Sequence, residues 1–271
     1  MKQFFINGAC GGVGLATIKA FDQAGYQIWA SDINQDALEN LAKQYPGIRI
    51  SCIDVNDKQQ LNCLCDNILS APKIDVAHVN AGVVYPNDVV NSTPLEIDLQ
   101  LDINLRSALH INRALAIKMK EQKTGHIVNT VSMGAFIPLP TSAVYCATKA
   151  ALRSYLTAMQ AELKPFGVSV SGIYPSGVHT PMLQYEALNN GSPLNFLNMP
   201  VSADKVANTV LKSAGTTWGS KKLEYYLPYS DSISSRIVNA FPWLLQKIYP
   251  LFRYLGEKGR TKYIRKFNVM D

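Results

Sequence analysis

Hydrophobic residues concentrate in seven short runs, at residues 2–6, 26–30, 48–53, 74–79, 126–131, 168–173 and 223–227. Between them lie longer stretches in which apolar positions recur at three- and four-residue intervals, the spacing of one helix face. The runs are apolar at most positions rather than at alternate ones, so strands built from them must be covered on both sides. A parallel sheet sandwiched between helices meets that demand. The pattern predicts an α/β fold: a doubly wound, seven-stranded parallel sheet with helices on both faces. No Pro/Gly/Ser-rich linker or internal repeat divides the 271 residues, and one catalytic domain over 1–271 is expected.

The joins between runs carry the chemistry. The first run passes into Asn7-Gly8-Ala9-Cys10-Gly11-Gly12-Val13-Gly14 and then into a helical pattern. Glycines at a strand-to-helix turn let the backbone approach a pyrophosphate, whose charge meets the free amides and positive dipole end of the helix. The second run ends at Ser31-Asp32, and Asp32 stands where an acidic side chain would accept the hydroxyls of an adenosine ribose. The competing reading of Asp32 is a cap for a helix over 34–43. Further on, Tyr145 and Lys149 stand four apart at the start of a helical pattern, with Ser132 upstream. A phenol is a weak acid and base near neutrality, and an ammonium on the same helix face would lower its pKa. A serine hydroxyl from another element could hold a carbonyl or alcohol within its reach.

These residues resemble the short-chain dehydrogenase/reductase family, in its single-domain branch, over most of the first 215 positions. Gly8, Gly12 and Gly14 match the family's spaced glycines, with Gly11 and Val13 between them; Asp54-Val55 resembles the pair that touches adenine, and Asn80-Ala81-Gly82 the turn after the fourth strand. Pro175, Val178 and Thr180 resemble the loop that fixes the nicotinamide carboxamide. The resemblance implies a Rossmann-like sheet and a tetrad of Asn104, Ser132, Tyr145 and Lys149. In it Tyr145 exchanges the proton, Ser132 orients the oxygen, Lys149 lowers the Tyr145 pKa and binds the nicotinamide ribose, and Asn104 supports a relay water. It further implies hydride transfer between a nicotinamide cofactor and an alcohol or ketone, by a homodimer or homotetramer. Asp32 would oppose a 2′-phosphate while Ile33, Cys10 and Gly11 offer it no cation, so the expected cofactor is NAD. Three positions depart from the family pattern: Asn7 replaces a threonine, whose turn an amide can also hydrogen-bond; Gly11 stands where Ser or a basic residue is often found; and Ser176 stands where glycine is usual after Pro175.

Composition narrows the alternatives. Five scattered cysteines suggest free thiols in a reducing cytoplasm, and Cys63-x-Cys65 lacks the second pair a metal site would need, so no metal is expected. A first strand this near the N-terminus leaves no room for a signal peptide. His179 reads as a solvated residue of the cofactor-side loop. The whole +6 net charge lies beyond residue 214, where ten Lys/Arg face four Asp/Glu. A basic, amphipathic extension over 230–271 either covers the core or a partner subunit or lies on an anionic membrane surface. Nucleic acid is not an expected partner, because no reading module accompanies the charge. Residues 182–200, rich in Leu, Tyr, Phe and Met, read either as a substrate flap, favouring steroid-, retinoid- or acyl-like substrates, or as packing for the tail helices. A nucleotide-sensing regulator would have lost the tetrad; a scaffold acting through the tail is the alternative function.

Overall fold

The computed structural model describes residues 1–215 and 222–269; the last two positions of the expected 230–271 extension lie outside them. In chain order the elements are β1 (Gln3–Asn7), α1 (Gly12–Gln23), β2 (Gln27–Asp32), α2 (Gln35–Gln44), β3 (Arg49–Cys52), α3 (Lys58–Ser70), β4 (Val76–Val79), α4 (Pro94–Leu101) and, after one π-helical turn at Asp102–Arg106, α5 (Ser107–Gln122). There follow β5 (Gly125–Thr130), α6 (Ala143–Leu163), β6 (Val168–Pro175), β7 (Val178–His179), α7 (Pro181–Leu188), β8 (Val201–Ser202), α8 (Ala203–Ser213), β9 (Glu224–Leu227), α9 (Tyr229–Ala240) and α10 (Pro242–Phe267). Each apolar run became a strand, with ends shifted by one or two residues.

Seven strands form one parallel sheet in the order β3-β2-β1-β4-β5-β6-β9. Alternate side chains of β1 serve opposite faces, as the pleat requires: Phe4 and Ile6 join Ile18, Phe21, Val206 and Val210, whereas Phe5 joins Leu64, Ile111, Leu115 and Leu156. Strand order reverses between β1 and β4, and the crevice at such a switch point, beyond the carboxyl ends of the strands, is where ligands bind in open α/β sheets. β7 and β8 pair separately beside it.

Helix starts near this edge are not all alike. Asn34, Asp57, Thr93 and Ser202 cap α2, α3, α4 and α8 with side-chain oxygens. α1 begins at Gly11 with no side-chain cap and no acidic residue in its first turn. Its amide end is therefore left for an external anion.

Tight approach fixes the turn in front of α1. Gly8 has φ +64°, and a Cβ there would lie 2.7 Å from the Ala81 backbone; a Cβ at Gly14 would lie 2.3 Å from the Gly8 carbonyl oxygen. At Gly11 the nearest atom would be 3.6 Å away. Gly14→Ala is expected to lower stability by about 1–3 kcal/mol, while Gly11→Ala stays within about 0.5 kcal/mol of the parent. Denaturant midpoints of the two variants check this contrast, and equal midpoints contradict it.

Candidate active site

The residues expected to form the site meet at the carboxyl edge of the sheet. Gly8, Gly11, Gly12, Val13 and Gly14 make the β1–α1 turn, Asp32 and Ile33 follow in β2 and its loop, Asp54 and Val55 lie after β3, and Asn80-Ala81-Gly82 after β4. Ser132 follows β5; Tyr145 and Lys149 begin α6; Pro175, Val178 and Thr180 run from the end of β6 through β7 to the start of α7. Asn104 occupies the π-helical turn before α5.

Hydrogen bonds join these pieces. Asn7 Oδ1 accepts from the Asn80 amide at 2.8 Å, so the amide side chain at the threonine position ties the first strand to the turn after β4. Asn80 Nδ2 donates to the Gly8 carbonyl at 2.9 Å, and Asn80 Oδ1 accepts from the Thr130 hydroxyl at 2.9 Å. Thr130 is also bonded to His78 Nε2 at 2.8 Å, and its carbonyl accepts from Lys149 Nζ at 3.0 Å. His78 is buried, and its pKa is pushed down to about 3 by burial.

Asp32 does not cap α2; Asn34 does. One Asp32 carboxylate oxygen accepts from the Cys10 amide at 2.9 Å and the other from the Asn34 amide at 3.1 Å, which pins the carboxylate between β2 and the glycine turn. Each oxygen keeps acceptor capacity for a ribose hydroxyl. Burial, then the Asp32 charge, pushes the Cys10 thiol up to about 12. Ile33 is exposed, Val55 packs on the core, and Asp54 Oδ1 accepts from the Asn56 amide at 2.8 Å. A Cβ at Gly12 would meet the Thr180 side chain at 2.8 Å, so the β7–α7 junction closes onto the glycine turn. Ser176 sits there without a left-handed backbone and donates its amide to the Leu227 carbonyl at 2.8 Å; the loop does not need glycine at that position.

The Ser132 hydroxyl accepts from the Gly134 amide at 3.0 Å and acts to lower the pKa of the Tyr145 phenol, and Lys149 Nζ lies 5.5 Å from the centre of the tyrosine ring. The expected lowering of the Tyr145 pKa is not what this arrangement produces. The ring is half-buried, and the phenol is raised above its ordinary range, chiefly by burial and next by the carboxyl of Glu186, with only the Ser132 hydroxyl acting the other way. The Lys149 amine donates to the Thr130 carbonyl and is itself pushed down to about 8 by burial. Asn104 Oδ1 accepts from the Val83 amide at 2.7 Å, and its Nδ2 donates to the Val83 carbonyl at 2.8 Å. A Cβ at Gly82 would lie 3.3 Å from Asn104 Oδ1 and 3.6 Å from Lys149 Nζ, so this glycine keeps open the gap between the two side chains.

The flap is partly committed elsewhere. Leu183, Ala187 and Phe196 form a cluster with Tyr263 of α10, packed against Ile264 and Phe267, while Met182, Tyr185 and Met199 stay exposed. His179 is not a solvated residue: Nδ1 is 2.9 Å from the Tyr263 hydroxyl, and the ring stacks on Phe267 at 4.0 Å. The end of α10 thus braces β7 and the loop that leads to α7. Glu186, which carried no motif, is buried in the flap, accepts from Asn195 Nδ2 at 2.9 Å, and acts electrostatically on Tyr145, Cys146 and Tyr263.

Residues 2–190 match the profile of the short chain dehydrogenase family, and the chain belongs to that family. It is 32% identical over 184 residues to dehydrogenase/reductase SDR family member 6 of Rattus norvegicus, covering 68% of this chain and 74% of the rat protein. Among solved structures, a short-chain dehydrogenase from Sphingobium yanoikuyae in complex with NADPH superposes with a TM-score of 0.78 at 19% identity, over 91% of this chain and 96% of that one. The 3-ketoacyl-(acyl-carrier-protein) reductase of Brucella melitensis, complexed with NADH, gives 0.73 at 23% identity, over 83% and 95%. The chain is therefore a nicotinamide-dependent oxidoreductase acting on alcohol or carbonyl groups.

Burial raises the Glu186 carboxyl from 4.5 to about 7, with Asn195 and Arg260 opposing. Between these values the unfolded chain gives up its proton while the folded chain keeps it, so the stabilising contribution is full below 4.5 and lost as pH rises through 7. Glu186→Gln, which does not titrate, should gain stability relative to the parent on going from pH 5 to pH 8, by up to about 3 kcal/mol. Chemical denaturation at the two pH values measures it; a constant difference contradicts a neutral buried Glu186.

Proposed function

We propose that the protein is an NAD(H)-dependent alcohol dehydrogenase or carbonyl reductase whose proton is handled by Tyr145. The observation that carries this reading is Lys149, anchored on Thr130 with its amine 5.5 Å from the centre of the Tyr145 ring, at the same sheet edge as Ser132 and the uncapped start of α1. Those free amides and the open space at Gly11 suit a pyrophosphate, and Asp32 suits an unphosphorylated ribose. Asp54 and Val55 would flank the adenine; Asn80, Ala81 and Gly82 would border the dinucleotide, and Pro175, Val178 and Thr180 the carboxamide. Bound there, the cofactor supplies or accepts the hydride.

Ser132 would hold the substrate oxygen, and Tyr145 would give it a proton in reduction or remove one in oxidation. A phenol kept protonated by burial and by Glu186 is set up as the acid of the reductive direction. Protons would reach it past Lys149 and through the gap at Gly82 beside Asn104. Similar structures hold NADH in one case and NADPH in the other, so cofactor choice rests on Asp32, whose charge would repel a 2′-phosphate by up to about 4 kcal/mol at a surface-like dielectric before salt screening. The exposed flap residues Met182, Tyr185 and Met199 favour a substrate with an apolar body, steroid-, retinoid- or acyl-like.

The test screens secondary alcohols and ketones of increasing chain length with NAD(H) and NADP(H), then measures Tyr145→Phe on the best substrate. Turnover should fall at least about 100-fold with nucleotide affinity kept, because the ring stays and only the transferable proton is lost. NAD should bind more tightly than NADP. More than about a tenth of the parental rate in the variant would remove Tyr145 from the chemistry, and equal or tighter NADP binding would remove Asp32 from cofactor choice.

A further inference from the structure

Helix α9 is amphipathic in the wrong sense for a helix that ends at water. Its inward face carries the fully buried serines Ser232 and Ser235 with Val238, the two hydroxyls returning to backbone carbonyls of their own helix. Small residues let the helix lie close to the Met133 segment, where Ser235 Oγ is 3.6 Å from the sulfur. Its outward face carries Tyr229, Ile233 and Ile237 at four-residue intervals, continued by Phe241 where the helix ends, all of them 47–68% exposed. Four large apolar side chains thus form one stripe directed away from the protein.

The first half of α10 extends this surface. The buried residues of that 26-residue helix are Gly256 and Tyr263, so none lies in 242–255. Trp243, Leu251, Tyr254 and Leu255 are exposed there. The helix is held to the body by its second half: Gly256 and Gly259 pack against the backbone of Pro193 and Phe196, Arg260 bonds the Gly191 carbonyl, and Tyr263 bonds His179. The anchored half fixes the exposed half in place without covering it.

Charge identifies the occupant. Residues 229–255 carry Arg236, Lys247 and Arg253 against Asp231, and the anchored second half of α10 borders them with five more Lys/Arg against Glu257. Cations and aromatics are interleaved, with Lys247 5.0 Å from the centre of the Trp243 ring and Lys258 4.4 Å from that of Tyr254. A second copy of the chain, related by a two-fold axis, would bring this cationic surface against itself, where like charges oppose association. An anionic bilayer takes both components, the apolar stripe into its interface and the cations onto its headgroups, with lysine stems buried and amines in water. Among the described residues no helix is long and apolar enough to cross a membrane, so contact would be in the plane of the surface.

We infer that α9 and the first half of α10 form a peripheral docking surface for an anionic lipid bilayer. This does not depend on which substrate or cofactor the enzyme uses. The test is co-sedimentation of the full chain with phosphatidylcholine vesicles and with vesicles in which about 30 mol% is replaced by phosphatidylglycerol. Association with the anionic vesicles should be at least about tenfold stronger and should weaken with salt, as expected where each surface cation contributes about 1 kcal/mol. The combined variant Ile233→Ser, Ile237→Ser and Trp243→Ser changes exposed positions only; a thermal melt matching the parent verifies its fold. It should lose at least about tenfold in vesicle binding, since three apolar anchors leave the interface. Three results overturn the inference: parent protein remaining in the supernatant with anionic vesicles, a folded variant that binds like the parent, or a parental dimer that the variant converts to monomer while neither binds lipid, which assigns the stripe to a second copy.

Discussion

The hydrogen bond from the Thr130 hydroxyl to Asn80 Oδ1 is the join on which the site depends. Asn80 grips the Gly8 carbonyl from one side, and the Thr130 carbonyl holds the Lys149 amine on the other. The turn suited to the dinucleotide and the helix that carries Tyr145 are distant in sequence, yet these two side chains fix their separation at the point where strand order reverses. Little can move there independently. A buried His78, kept neutral, is bonded to the same hydroxyl and limits the orientations Thr130 can take.

Burial sets the electrostatics of this edge more strongly than pairwise charge does. Lys149 loses affinity for its proton because it is enclosed, and Tyr145 holds its proton more tightly for the same reason. The intuition that an ammonium four residues away acidifies the phenol meets two opposing effects here: the amine is bonded to the Thr130 carbonyl, and burial with Glu186 raises the phenol. Glu186 then adds a titratable group on the flap side. The Tyr145 phenol is thus influenced both by the sheet edge and by an element whose other face rests on the C-terminal helix.

Much of this was legible in the chain. Runs apolar on both faces suit parallel strands covered by helices, so β1 to β6 and β9 could be placed within a residue or two, and the glycine turn, Asp32, Ser132 and the Tyr145–Lys149 pair follow from short spacings along the chain. What was not legible depends on contacts between elements remote in sequence. Thr130 looks like any residue near a strand end, and its importance comes from Asn80 and Lys149, fifty positions before it and nineteen after. Glu186 sits in a segment read for its apolar residues, and its burial is decided by Asn195 and α10. His179 was misjudged because Tyr263 and Phe267 reach it from the end of the chain.

The central claim is that one hydrogen-bonded seam supports both nucleotide binding and proton transfer, and Thr130→Val examines it directly, since it removes the hydroxyl while keeping side-chain shape and the carbonyl that holds Lys149. Titration of this variant with NADH, alongside its steady-state turnover, is the decisive measurement. Affinity should fall about tenfold or more, the consequence of leaving Asn80 Oδ1 without its partner, and kcat should fall with it. Parental affinity and parental turnover in the folded variant would contradict the claim.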